Sequence, residues 1–209
     1  MKLLYIIVNS KNEEDSSSRL VSRKLVEEVM ANHECDLEEI NLYEEELPEL
    51  NAKYFSGKNC LIEECDELSK EEKADVEQIK KLANQFAEAD AYVIAAPLWS
   101  MSFPAPLKQY IDCVVSNGIT IEISESGCKG LLEGDRKMIY VQASGGPINL
   151  ITKGEMCQGI DYVEGIMEHL GIKKFEKLLI DGTGFTEESK RAAEEKAVEK
   201  IPHILRSFK

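Results

Sequence analysis

Three short stretches of this chain carry residue types suited to chemistry, and each follows an apolar run. The first, Asn9 to Ser18, places a hydroxyl at Ser10 and three more in a row at Ser16, Ser17 and Ser18. It has neither a lysine-ended P-loop nor G-x-G-x-x-G. Hydroxyls beside the free N–H groups of a helix start can hold a phosphate without Lys or Arg. Read alone, the same serines would serve as helix caps, and Glu13, Glu14 and Asp15 oppose an anion unless they point away. The second stretch is Pro97-Leu98-Trp99-Ser100-Met101-Ser102-Phe103, which holds the only tryptophan. Large apolar side chains on a loop make either a bed for a flat ring or a contact patch for another protein. The third is Ala143-Ser144-Gly145-Gly146, a hydroxyl followed by two residues whose missing Cβ allows close backbone approach.

Other catalytic sets are not supported. His33, His169 and His203 stand singly near predicted helix ends. The six cysteines form no C-x-x-C pair, and Cys60 and Cys65, the closest two, have no further ligands at zinc or iron–sulfur spacing. They read as free thiols of a reducing compartment. No residue is assigned as acid, base, nucleophile or metal ligand.

The elements that must position the three stretches alternate along the whole chain. Leu3 to Val8 reads as a first buried strand. A helix follows with Leu20, Val21, Leu25, Val29 and Met30 on one face and Ser17 or Ser18 as its N-cap. Asp36 to Leu42 suggests an edge strand, and residues 44–66 an irregular excursion. Ser69-Lys70-Glu71-Glu72 is a capping box for a helix that presents Val76, Ile79, Leu82, Ala83, Phe86 and Ala87 and ends near Glu88. Ala91 to Ala96 lacks alternation, as a strand buried on both faces does. An amphipathic helix over 104–116 and a ribbon around Ile119 to Ile123 come next. Lys137 to Ala143 is a fourth core strand, and a helix from Asp161 to Leu170 closes at Gly171. Phe175 to Ile180 is a fifth strand, followed by a helix from Thr186 that bends or frays before Pro202. Strands separated by helices imply right-handed crossovers. The expected fold is a three-layer α/β/α sandwich with a five-stranded parallel sheet, order 2-1-3-4-5, in one domain over 1–209.

Composition narrows the partners. With 39 acidic against 25 basic residues the net charge is −14, the wrong sign for a phosphate-backbone partner, so no nucleic acid is expected. Met1 to Val8 is too short for a signal sequence core, and no run approaches the roughly 18–20 apolar residues of a membrane span. A cytoplasmic protein without a membrane partner is the expectation.

In a 2-1-3-4-5 sheet the carboxyl ends of strands 1, 3 and 4 converge at the switch point. One loop there suits a phosphate, one a flat ring, and one close backbone approach. A mononucleotide with a large tricyclic ring fits, which points to FMN. Nothing in the sequence blocks an adenylate tail, so FAD stays an alternative.

The chain resembles the FMN-dependent azoreductase and NAD(P)H:quinone oxidoreductase family, which has a flavodoxin-like fold. The likeness is densest in Ala95-Ala96-Pro97-Leu98-Trp99-Ser100-Met101, in Leu107 to Asp112, and in Gly118-Ile119-Thr120. It resumes at Gly130-Leu131 and Ala143-Ser144-Gly145-Gly146. The resemblance implies that Ser10, Ser16, Ser17 and Ser18 hold the phosphate. It places Pro97, Leu98, Trp99, Ser100 and Met101 along the isoalloxazine, and Ala143, Ser144, Gly145 and Gly146 in a third cofactor loop. Ser100 stands where the family usually has Asn and Met101 where it usually has an aromatic residue. It further implies NADH or NADPH as donor, a quinone or azo compound as acceptor, two-electron ping-pong transfer, and a homodimer with its sites at the subunit interface. Phe103, Ile121 and Ile123 are candidate pocket residues. A one-electron carrier flavodoxin is the alternative; the acidic charge suits it, while the 44–68 and 117–135 segments suit it less.

Overall fold

The computed structural model describes residues 1–57, 60–62, 68–148 and 153–207. β1 (Lys2–Ile7) sends alternate side chains to opposite faces, as a pleated strand must. Leu4 and Ile6 enter one apolar cluster, while Leu3, Tyr5 and Ile7 enter another. α1 (Ser17–Asn32) buries Val21, Leu25, Val26 and Val29. Its N-cap is Ser16, one residue earlier than expected, and Met30 is exposed. At about 100° per residue Met30 lies half a turn round from Val21, beyond the edge of the stripe. β2 (Asp36–Asn41) forms a sheet edge.

The excursion after β2 holds a 3-10 turn, Ala52–Tyr54, and a ribbon of β3 (Phe55–Ser56) and β4 (Cys60–Leu61). Cys65 lies outside the described residues. α2 (Lys70–Glu88) begins at the expected capping box, with the Glu72 amide donating to Ser69 Oγ at 3.2 Å and the Ser69 amide donating to Glu72 Oε2 at 2.8 Å. β5 (Ala91–Pro97) is buried except for Pro97, and α3 (Ala105–Val114) follows. β6 (Ile121–Ser124) and β7 (Gly127–Gly130) form an antiparallel ribbon. β8 (Lys137–Ser144), α4 (Lys153–Met156), α5 (Gln158–Leu170) and β9 (Lys174–Asp181) come next. Gly171 ends α5 with φ 119°, a left-handed cap that glycine adopts without steric cost. The final helix is two, α6 (Glu187–Val198) and α7 (Ile201–Ser207); Pro202 sits in the first turn of α7, where its missing N–H costs nothing.

The sheet runs β2-β1-β5-β8-β9 with every pairing parallel, which is the expected 2-1-3-4-5 order counted over sheet strands. α2, α3 and α5 contribute to the cluster on one face, and α1, α6 and α7 to the cluster on the other. The loops after β1 and β5, which are neighbours, therefore leave toward opposite faces. That divergence opens a crevice above the carboxyl edge of the sheet. Register keeps the edge level, with Ile7 beside Ala95, Pro97 beside Ala143 and Ser144 beside Asp181. No described helix is long and apolar enough to cross a membrane.

Candidate functional site

A cleft of about 720 Å³ occupies that crevice, within the roughly 300–1,000 Å³ usual for small-molecule sites. Ser10, Ser16, Ser17, Ser18, Pro97, Leu98, Trp99, Ala143 and Gly145 line it, so parts of all three sequence stretches meet there.

One end of the cleft is built by the first turn of α1. Asn9, only 4% exposed, donates from Nδ2 to Ser16 Oγ at 2.8 Å and accepts the Lys11 amide on Oδ1 at 2.9 Å. Ser16 Oγ also accepts the Arg19 amide at 3.3 Å and shares a hydrogen bond with Ser18 Oγ at 3.2 Å. The Ser16 hydroxyl is thus fully engaged in holding the turn. The amides of Ser17 and Ser18 have no partner among the described residues. They are the orphan donors of a helix start, at the positive end of its dipole.

Charge around this end is arranged to admit an anion. Glu13 is turned to Arg23, which donates to it from Nε at 3.1 Å and to both Glu39 oxygens at 2.6 and 2.7 Å. The Arg23 guanidinium holds the Glu39 carboxyl below the usual carboxylate range. Glu14 does not line the cleft. Asp15 and Glu187 do, opposed by Lys11 and Lys190.

The middle of the cleft is shaped by a two-residue turn. The Trp99 amide donates to Ser102 O at 3.0 Å and the Ser102 amide to Trp99 O at 2.8 Å, with Ser100 at φ 49° and Met101 at φ 65° between them. Two consecutive non-glycine residues in the left-handed region store strain of a kind that concentrates at functional sites. Trp99 remains 44% exposed, and the Ser100 and Met101 amides have no partner among the described residues. The turn also divides the surface. Ser100, Met101 and Phe103 line a second cavity of about 470 Å³ with Ser102, Ala105, Lys108, Gln158, Gly159 and Tyr162. There the Phe103 and Tyr162 rings lie 6.0 Å apart, and Lys108 is paired with Asp112, which raises the lysine pKa.

At the far end, Ala143 and Gly145 line the cleft. Ser144 is buried, and its hydroxyl donates to Gly146 O at 2.6 Å instead of facing outward. The amides of Gly145 and Gly146 have no partner among the described residues. Ile121 and Ile123 lie in the β6–β7 ribbon, packed on the core, and line neither cavity. Several lining residues were not singled out from sequence: Asn9, Lys11, Asn12, Thr183, Glu187 and Lys190. Thr183 follows β9 in the turn Asp181-Gly182-Thr183-Gly184, whose glycines were the available signal.

A parallel sheet wound in both directions, with a polar cleft where its strand order reverses, defines an α/β protein of the nucleotide-binding kind. A family model described as the flavodoxin-like fold matches residues 1–204, and the chain belongs to that family. It is 48% identical over 209 residues to the FMN-dependent NADH:quinone oxidoreductase of Clostridium botulinum (strain Eklund 17B / Type B), covering 98% of this chain and 97% of that protein. The protein of the same name from Ruminiclostridium cellulolyticum is 48% identical over 208 residues, covering 98% of each. Among solved structures, an FMN-dependent NADH-azoreductase from Bacillus anthracis in complex with FMN superposes with a TM-score of 0.81 at 27% identity, covering 97% of this chain and 98% of that one.

Proposed function

We propose that this chain is an FMN-dependent NADH:quinone oxidoreductase that also reduces azo compounds. The observation that carries the reading is the pairing of unpartnered donors at both ends of one cleft, Ser17 and Ser18 at one and Gly145 at the other with the free Gly146 amide next to it in the chain, and exposed Trp99 between them. The residues present suit an anion at the first end and a flat ring beside Trp99. FMN bound there would supply the redox chemistry, hydride acceptance from NADH and two-electron reduction of a quinone or azo acceptor.

The chain's own residues bind and orient. The α1 amides and Ser10 hold the phosphate; Leu98 and Trp99 support the ring; the Gly145 and Gly146 amides donate to its polar edge. No side chain is required as acid or base.

The remaining parts of the reading are a homodimer and a cytoplasmic setting. Met101 and Tyr162, which line the second cavity, and Trp99, two residues before Met101, are each at least 40% exposed, a surface suited to cover by a second copy. The described cysteines are free thiols, as a reducing compartment maintains.

Purified protein should be yellow and release FMN, not FAD, and should oxidise NADH when menadione or an azo dye is added. NADPH measured in parallel tests the donor, and light scattering should give twice the 23.5 kDa chain mass. Failure to retain flavin after soaking, or NADH oxidation that ignores the acceptor, would overturn the enzyme reading.

A further inference from the structure

The loop after β9 is joined to the loop after β8 through backbone groups. Ser144 O accepts from the Gly182 amide at 3.1 Å, the Thr183 amide at 3.1 Å and Thr183 Oγ1 at 3.0 Å. Gly145 O accepts from the Gly184 amide at 3.0 Å, and Gly146 O accepts from the Gly182 amide at 3.2 Å. In a trans peptide unit the C=O and the following N–H point in opposite directions. Holding the Ser144 and Gly145 carbonyls on the β9 loop therefore aims the Gly145 and Gly146 N–H groups away from it. Those are the two amides without partners.

The contact behind this arrangement is glycine on glycine. A Cβ on Gly184 would stand 2.8 Å from Gly145 Cα, 3.0 Å from Gly145 O and 3.2 Å from Gly145 C, all backbone atoms that cannot yield without moving the loop. A Cβ on Gly145 would meet Gly184 Cα at 3.6 Å, an ordinary contact. Neither residue has positive φ, so alanine strains neither backbone by itself. The close approach therefore requires glycine at 184, against which the Gly145 backbone rests, more strictly than at 145.

We infer that Gly184, which does not line the cleft, is a positioning residue for the flavin ring. By setting the Gly145 peptide against the β9 loop it aims two backbone donors at the ring's polar edge. The inference rests on the FMN reading of the cleft. Donors aimed at that edge stabilise the charge that the ring gains on reduction, so displacing them lowers its reduction potential.

The test measures the dissociation constants of FMN and of riboflavin, which lacks the phosphate, together with the reduction potential of the bound flavin. G184A is expected to weaken both ligands by the same factor, about tenfold, as the loss of roughly one or two hydrogen bonds would. The ratio between the two constants stays at the wild-type value, and the potential falls. G145A is expected to lose less than G184A, although Gly145 is the residue that lines the cleft. T183V, which removes one donor and adds no bulk, should weaken both ligands by a smaller common factor and does not depend on G184A folding.

Unchanged riboflavin affinity in G184A, a loss confined to FMN, or a G145A loss equal to that of G184A would each overturn the inference. Wild-type protein that binds neither flavin would instead remove the FMN reading beneath it.

Discussion

The α1 end of the cleft and the Trp99 turn at its middle are built differently. At the α1 end, Asn9, Ser16, Ser18 and Arg19 satisfy one another within a span of eleven residues, and Ser16 to Ser18 are nearly buried. That turn is held by its own side chains. At the Trp99 turn, Ser100 and Met101 hold left-handed backbone, and Trp99 and Met101 stay 44% and 43% exposed. Here local geometry is strained and apolar surface is left uncovered, which leaves the arrangement to be completed from outside. The contrast teaches that one fold edge can combine a helix start braced by its own side chains with a strained, exposed apolar turn; on the proposed reading the first takes the phosphate and the second the ring.

The largest expected effect attacks the socket. Replacing Ser10 and Ser17 together by Asp puts two carboxylates beside the phosphate, and a close like-charge pair near a protein surface costs about 4 kcal/mol. FMN affinity should fall by at least about 100-fold while riboflavin affinity changes far less; equal losses for both would move the phosphate elsewhere. Next is N9A, which strips the buried brace from Ser16 and the Lys11 amide. It should lower unfolding stability by about 1–2 kcal/mol in a denaturant titration, and no loss would mean that the socket holds itself without Asn9. The smallest effect comes from the strained turn. S100G relieves a left-handed non-glycine residue and should raise stability by about 0.5 kcal/mol, the relief being partly offset by glycine's chain entropy. A drop in thermal midpoint would show that the turn is not strained and would erase the contrast.

Much of the architecture was legible because its signals are local. The Ser69–Glu72 box is two side chains reaching across one helical turn, and Gly171 marks a left-handed cap, so each is visible within a few residues. Ser10, Ser16, Ser17 and Ser18 could be grouped for the same reason. Less local features shifted or escaped. The cap falls on Ser16, whose hydroxyl accepts the Arg19 amide and is braced by Asn9 Nδ2 at 2.8 Å, while the same Nδ2 reaches Ser18 Oγ only at 3.5 Å. Ile121 and Ile123 alternate as a pocket wall would, yet their ribbon packs against the core away from both cavities.

By itself the chain's pattern of apolar runs, caps and turn residues determined the five strands of the parallel sheet, their intervening helices, and the three loops whose hydroxyls, aromatic ring and glycines stand out. Periodicity and capping act over a turn or two, and such short reach can be read in one dimension. Tertiary structure alone decided which groups end up free. The Gly145 and Gly146 amides point away from the β9 loop only because Gly182, Thr183 and Gly184, nearly forty residues later, take the carbonyls behind them. Glu13 turns from the cleft because Arg23, itself held by Glu39 on a neighbouring strand, donates to it. Donor direction and charge orientation depend on partners distant in sequence, and no spacing of letters records where those partners will lie.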